Sequence, residues 1–509
     1  MPASARVRRA KREDPRSGLT AARQLANQVF SRASGAHLRE GNSVRLLKDA
    51  AENYPAWLAA IAAARQTIHF EMYIIHEDEQ GRLFADALLR KAAEGVQVRL
   101  LYDWMGGFGA ASRAFWNSLR AGGISVRCYN PPRLDQPLGW VSRDHRKVLV
   151  IDGTIAFVTG LCVGRMWAGD PAANRQPWRD TGVEVRGPAV SDIAEAFAEA
   201  WATCGEPLPD SGAPPAEAQP AAGDVAARVV ATVPNTAGLF RVDQLVAAMA
   251  RYTLWLTDAY YAGTTSYVQA LRAAVADGVD VRLLVPGVSD VPVVSALSRA
   301  GYRPLIEAGV RVFEWNGPML HAKTAVADER WARVGSTNLN LASWMGNREL
   351  DLIVENQPFA RQMQEMFLHD LANATEVVLH ARSRARAPSA PKGRRDLLTS
   401  GGGSRGRVAA GAMRIGSTVS AAITNRRVLD SIEANVPVIA GLGLAALAAL
   451  AFAFPRGFAY PVAAIAAYVA AALLYRGVAL YRERRRQGVP SPPPVRRQEE
   501  THAKEPTIP

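Results

Sequence analysis

Cysteine is scarce in this chain. Cys128, Cys162 and Cys204 are the only three in 509 residues, and no CxxC pair exists. That excludes a disulfide framework and a cysteine zinc site, and it fits a reducing compartment. The basic N-terminus (Arg6, Arg8, Arg9, Lys11, Arg12) is not followed by the apolar stretch a signal peptide requires. No cluster of His, Asp and Glu has metal-ligand spacing, so neither a metal nor a cofactor is expected. Histidine is sparse as well, at eight residues. What is abundant is ordinary: 49% hydrophobic and 21% charged residues exclude wholesale disorder and collagen-like repeats. The length suits two large domains with appendages.

The net charge of +13 first suggests nucleic acid or an anionic membrane as partner. Its distribution favours the membrane. Residues 1–40 carry +6, residues 381–435 carry +8 and residues 476–509 carry +4. With +1 from Arg456, the body, 41–380, is left at −6. A nucleic-acid-binding domain is expected to carry its basic patch on the fold itself. No nucleic acid is therefore expected as partner.

Two long uncharged runs occur near the end. Val436–Phe454 and Phe458–Tyr475 span 19 and 18 residues and are separated by Pro455-Arg456-Gly457. Each approaches the roughly 20 residues that cross a hydrocarbon core, so the pair (436–475) reads as a transmembrane helical hairpin. Arg426 and Arg427 precede it, and Arg482, Arg484, Arg485 and Arg486 follow it. These flanks place both ends, and hence the body, on the cytoplasmic side. The segment 382–435, with its run Ser400-Gly401-Gly402-Gly403-Ser404, reads as a basic flexible tether, and 476–509 as a basic Pro-rich tail.

The body is duplicated across a Pro/Ala-rich linker, 205–226. LRKAAEGVQVRLLYD (89–103) in the first half, 41–204, matches LRAAVADGVDVRLLV (271–285) in the second, 227–381. Each is a helix ending at a glycine, then a buried strand, with further apolar strands on either side. That alternation predicts an α/β fold: two halves, each a largely parallel or mixed sheet with helices on its faces, sharing one cleft.

The same constellation recurs in both halves. DHRKVLVIDG places His145, Lys147 and Asp152; LHAKTAVADE places His321, Lys323 and Asp328, with identical H-x-K-x4-D spacing. On a strand, residues i and i+2 share a face, so His and Lys point the same way. A single H-x-K is a weak signal, but two copies at equivalent places in a repeat point to catalysis. Two imidazoles across a cleft can divide the breaking of a P–O bond: one attacks phosphorus, the other protonates the leaving alkoxide. The lysines would clamp the non-bridging oxygens. Each imidazole needs an orienting carboxylate. Asp180, in Trp178-Arg179-Asp180, is expected beside His145; Glu349, in Asn347-Arg348-Glu349, is expected beside His321. Asp152 and Asp328, after the apolar strand runs, are expected to serve the fold.

This pattern resembles the phospholipase D superfamily, whose signature is a duplicated H-x-K-x4-D-x6-G-[ST/G]-x-N. The second copy matches throughout, through Gly335, Ser336 and Asn338; by resemblance Ser336 and Asn338 bind substrate phosphate. The first copy reads Thr159-Gly160-Leu161-Cys162, so Cys162 stands where the motif has Asn. Within the superfamily the chain is similar to bacterial cardiolipin synthases over about 65–380, through HFEMYI, EGVQVRLLYD, SRDHRKVLVIDG, PWRDT, MLHAKTAVAD and GSTNLN. The resemblance implies two phospholipase D-like α/β/α sandwich halves. It also implies a phosphatidyltransferase of the bacterial cytoplasmic membrane that joins two phosphatidylglycerols through a phosphohistidine, with His145 favoured as nucleophile. Many relatives carry their apolar segments at the N-terminus, whereas here they are C-terminal. The same site serves phospholipid hydrolases and some nucleases, and a lipid-binding scaffold with a dead site is the non-enzymatic alternative. Apolar stretches around Trp140 and Trp344-Met345 are candidates to seat acyl chains.

Overall fold

The computed structural model describes residues 15–133, 141–379, 426–428 and 445–486. Residues 1–14, Trp140, the tether apart from 426–428, and the tail beyond 486 lie outside the described residues. The described residues form two compact units: one holds the duplicated body, the other comprises 132–133 with 445–486.

In the body, the strands of the first half are β1 (Arg39–Lys48), β2 (Thr67–Met72), β3 (Gln97–Asp103), β4 (Ser125–Tyr129), β5 (Lys147–Ile151), β6 (Ile155–Thr159) and β7 (Thr181–Arg186). Those of the second are β8 (Val225–Thr232), β9 (Thr253–Thr257), β10 (Asp280–Pro286), β11 (Arg311–Trp315), β12 (Thr324–Ala327), β13 (Trp331–Gly335), β14 (Glu349–Glu355) and β15 (Ala374–Val378). They join in one mixed sheet. Its order runs β15-β11-β10-β9-β12-β13-β14-β8-β1-β7-β6-β5-β2-β3-β4, with Arg426–Val428 added beside β15. Read outward from β8/β1, the two halves repeat one strand order. They meet through a short antiparallel pairing, Arg39 with Ala227 and Asn42 with Val225. Strands β2, β3 and β4, and likewise β9, β10 and β11, run parallel. Each motif strand, β5 or β12, then packs antiparallel against the first of these.

Helices cover both faces of each half. Trp57, Phe84 and Trp116 fill the outer core of the first half; Val242, Leu271 and Tyr302 fill that of the second. A third core lies between the halves, where helices Ala189–Ala202 and Gln357–Ala372 bring Ile193, Phe359 and Met363 against strands of both. Because this core belongs to neither half alone, the two fold against each other as one unit.

Two segments do more than the sequence suggests. The helix Pro15–Ser34 docks on the second half, where Phe30 enters the core and buried Arg228 bonds Ser31, Asn27 and the Ala36 carbonyl. The stretch 205–226 is a packed strap rather than a free linker. Gln219 Nε2 donates to the Gly153 carbonyl (2.7 Å), Ser191 Oγ to that of Pro214 (2.6 Å), and Ala216 is buried. Small Ala and Pro side chains allow this, since they bring no polar group that burial would strand.

Asp152 and Asp328 close turns behind the motif strands, with φ of 50° at both. Asp152 accepts backbone N–H from Arg65, Gln66 and Thr67 at 2.7–2.8 Å. Asp328 does the same with Arg251, Tyr252 and Thr253 at 2.8–2.9 Å. Asp tolerates this left-handed backbone better than most residues, and its carboxylate ties β5 to the start of β2 and β12 to the start of β9.

Of the expected transmembrane hairpin, residues 436–444 lie outside the described residues; the C-terminal unit shows helices Ala445–Ala453 and Pro455–Tyr468, bent by 107° at the break between them. The second helix continues to Arg486. Among the described residues no single helix is long and apolar enough to cross a membrane. The apolar side chains here face outward, with Leu447, Phe452, Phe454 and Leu474 all more than half exposed.

Candidate active site

The motif histidines stand just before β5 and β12, at the sheet end where β2 and β9 finish. Both are buried, His145 to 8% and His321 to 5% exposure. Their approach is fixed by backbone pairing across the halves. The Arg348 carbonyl accepts the His145 N–H (2.9 Å) and the Arg348 N–H reaches the Arg143 carbonyl (2.8 Å). In mirror fashion, the Arg179 carbonyl accepts the His321 N–H (2.7 Å) and the Arg179 N–H reaches the Met319 carbonyl (3.0 Å).

This crossing overturns the expected pairing of acids and histidines. His145 Nδ1 lies 2.9 and 3.1 Å from the carboxylate oxygens of Glu349, in the other half. His321 Nδ1 lies 2.7 Å from Asp180 Oδ2, again in the other half. Within one half, β6 separates the histidine strand β5 from β7, where Asp180 stands. Two strand spacings, roughly 9–10 Å, are too far for a hydrogen bond. Each acid therefore serves the half opposite its own, and neither half can build a complete site alone.

Both carboxylates are fully buried and held by donors. Glu349 takes hydrogen bonds from Ser336 Oγ (2.6 Å) and Asn347 Nδ2 (3.2 Å). Asp180 takes them from Trp167 Nε1 (3.2 Å) and its neighbour's amide, Thr181 N (2.8 Å). Gly160 is required behind Asp180: a Cβ there would meet Asp180 Oδ1 at 2.2 Å. Ser336 occupies the matching place in the second half, and its hydroxyl proton goes to Glu349. Ser336 thereby supports the acid. Asn338 is buried, and its Oδ1 is an unpaired acceptor among the described residues. Cys162, its counterpart, is fully buried; burial raises its thiol pKa, opposed by the charges of Lys147 and Lys323.

The lysines lie inside this cluster. Lys147 Nζ donates to the His145 carbonyl (2.5 Å) and stands 5.1 Å from the Tyr73 ring centre. Lys323 Nζ is 2.9 and 3.0 Å from the two ring nitrogens of His321. Tyr73 packs edge-on to His145 at 4.8 Å, and Tyr260 to His321 at 5.8 Å. Burial lowers both histidines to a pKa of about 4; the lysine charges push the same way and the carboxylates oppose. Glu349 and Asp180 are held below the usual carboxylate range: burial alone would raise them, but the facing histidine and lysine outweigh it. At neutral pH the resting site thus holds ionised acids and neutral imidazoles, each with Nδ1–H toward its acid; Nε2 of His321 lies against Lys323 Nζ.

Burial brings Lys323 down to about 8, opposed by Asp180 and reinforced by Lys147. Its charge is present below that pH and lost above it. The alkaline limb of kcat/KM should therefore fall with a midpoint near pH 8. Lys323→Arg should move that limb upward. Lys323→Ala should cost about 10²–10³-fold, as loss of one electrostatic stabiliser does. An unchanged pH profile in Lys323→Arg would remove Lys323 from this role.

Some supporting residues escape sequence reading. Arg179 is buried between Asp370 and Asp49 (2.7 and 3.1 Å), and Arg348 pairs with Glu199 (3.2 Å) and Tyr129. The available signal is the repeated Arg-acid step, Arg179-Asp180 and Arg348-Glu349. Trp344 does not seat acyl chains: it is core, donating to Asp243 Oδ2 (3.1 Å) and packing on Tyr267. Among the described residues no three His, Cys, Asp or Glu side chains converge as a metal site.

Comparison with known proteins identifies relatives of the whole body. The family model described as "Cardiolipin synthase, PLD-like domain" matches residues 57–164 and 246–371, one segment in each half. Cardiolipin synthase A of Pseudomonas putida is 35% identical over 346 residues, 66% of this chain and 69% of the relative. Cardiolipin synthase A of Pseudomonas fluorescens is 36% identical over 348 residues, 66% of this chain and 70% of the relative. Among solved structures, phosphatidylserine synthase of Haemophilus influenzae superposes with a TM-score of 0.55 at 13% identity, over 69% of this chain and 91% of that one, which speaks for the fold. With its duplicated motif, crossed acids and these relatives, the chain belongs to the cardiolipin synthase family of phospholipase D-like enzymes.

Proposed function

We propose that the chain makes cardiolipin from two phosphatidylglycerols through a phosphatidyl-histidine. The observation that carries this is the pair of buried imidazoles, each with Nδ1 fixed by an acid of the opposite half. His145 Nε2 attacks phosphorus of the first lipid. The N–P bond forms, the P–O bond to glycerol breaks, and His321 Nε2–H gives its proton to the departing glycerol oxygen. The bound phosphodiester anion favours the charged imidazolium that this step requires, although His321 is neutral at rest. The terminal hydroxyl of a second phosphatidylglycerol then passes its proton to His321 and attacks phosphorus, and the N–P bond breaks. Lys147, Lys323 and Asn338 hold the phosphoryl oxygens through both steps.

Transfer and hydrolysis differ only in whether a lipid hydroxyl or water accepts the phosphatidyl group. The burial of both histidines supports transfer, because it limits the water that can reach the intermediate. Attachment to the bacterial cytoplasmic membrane, with the body on its cytoplasmic side, is supported by the uncharged runs at 436–475, their arginine flanks and the exposed apolar residues of that segment. The basic segments add attraction to an anionic leaflet. Purified full-length protein given phosphatidylglycerol vesicles should release glycerol and cardiolipin in equal amounts. Phosphatidic acid without cardiolipin would make it a hydrolase instead.

A further inference from the structure

Exposed apolar side chains occur at several places on the body, Leu25 and Tyr252 among them, but five gather at one end of the sheet. Phe108 is 71% exposed, Val288 66%, Leu341 60%, Val141 56% and Val291 40%. Their positions follow from strand direction. Phe108 lies beyond the C-terminal end of β3, and Val288 and Val291 beyond that of β10. Strands β3 and β10 run parallel to β2 and β9, whose ends pair with the starts of β5 and β12. Val141 precedes His145 on the approach to β5, and Leu341 follows the GSTN loop at the end of β13. All five therefore stand at the sheet end that carries His145 and His321, contributed by both halves.

Charge on the same loops is mixed. Arg113, Arg165 and Arg175 are exposed there, beside the acids Glu77, Asp78 and Asp290. Glu77 accepts from Ser112 N, Asp78 caps the helix starting at Glu79, and Asp290 accepts from Tyr260 Oη, whereas among the described residues none of the three arginines is in an ion pair. An apolar rim with exposed arginines able to reach outward fits a lipid surface, where apolar side chains enter the acyl boundary and guanidinium groups meet phosphate headgroups.

We propose that this rim docks the active-site mouth onto the bilayer, so that a headgroup reaches the buried histidines while its acyl chains stay in the membrane. The inference rests on the phospholipid reading above. It goes further in assigning which face of the body meets the membrane, a matter the C-terminal segment leaves open because a tether alone does not orient what it holds.

The test uses the full-length protein on vesicles of phosphatidylethanolamine and phosphatidylglycerol bearing acyl-chain nitroxides. A fluorophore is placed at Phe108→Cys, at Leu341→Cys, or at Tyr252→Cys, which is exposed at the opposite end of the sheet next to the start of β9. Quenching should be about threefold or more stronger at 108 and 341 than at 252. Equal quenching at both ends, or none at 108 and 341, would overturn the proposal. So would blue-shifted emission at 108 without nitroxide quenching, since protein would then cover the rim. In parallel, the variant Phe108→Ser/Val288→Ser/Leu341→Ser should lower the ratio of vesicle activity to activity on monomeric short-chain phosphatidylglycerol by about tenfold. An unchanged ratio would count against the rim. Loss of cardiolipin formation by the unsubstituted protein would instead count against the proposed function, so the two failures are distinguishable.

Discussion

Alanine at His145 or at His321 is expected to lower cardiolipin formation by about 10⁴-fold or more, the scale on which loss of a nucleophile or of its acid–base partner acts. Binding of phosphatidylglycerol should change little, because the lysines and Asn338 remain. The two variants should nevertheless fail differently. His145→Ala removes the attacking nitrogen, so no substrate restores covalent chemistry. His321→Ala removes the proton donor, so a phosphatidyl ester with a leaving group that needs no protonation, such as p-nitrophenol, should recover the first step. Stopped-flow release of p-nitrophenol distinguishes them: a single-turnover burst is expected from His321→Ala and none from His145→Ala. A burst from His145→Ala alone would exchange the roles.

The second large effect concerns the crossed acids. Glu349→Gln and Asp180→Asn keep shape and most hydrogen bonds but remove the charge that fixes the imidazole tautomer. About 10³–10⁴-fold loss of kcat is expected from each, by the logic of an amide in place of a triad carboxylate. What separates crossed pairing from pairing within a half is which histidine responds. In Glu349→Gln the pKa of His145, already lowered to about 4 by burial, should fall further as its stabilising anion disappears, while His321 stays put. Asp180→Asn should act on His321 alone. Imidazole NMR titrations of the full-length variants check this, and a response of His321 to Glu349→Gln would refute the crossing.

Much of this site was legible in the sequence, and the rest was hidden for identifiable reasons. The repeat, the H-x-K strands and the two Arg-acid steps could be read because strand periodicity and motif spacing are local properties. The partner of each acid could not be read by matching one half to the other, since a repeat aligns Asp180 with Glu349 whether they act within a half or across. Strand order decides it: β6 lies between β5 and β7, and only the opposing half brings a carboxylate next to His145. The bond from Ser336 to Glu349 is hidden for a related reason. Ser336 directly follows β13 and looks free in sequence, yet Glu349 arrives on β14 to accept its proton. The docked helix Pro15–Ser34 was masked by the basic composition around it, although Phe30 and its neighbours form an apolar stripe. The strap at 205–226 reads as a linker because most of its Pro and Ala side chains are exposed and its few anchoring contacts leave no periodic pattern.

The division of labour between the histidines has one direct test. His321→Ala, given a phosphatidyl ester with a p-nitrophenol leaving group, should accumulate the covalent intermediate, since the base needed to activate the acceptor is missing. Peptide mass spectrometry of the alkaline-quenched protein should find the phosphatidyl group on the peptide containing His145, and none on it in His145→Ala. A modified peptide elsewhere, or turnover without any modified histidine, would contradict the mechanism.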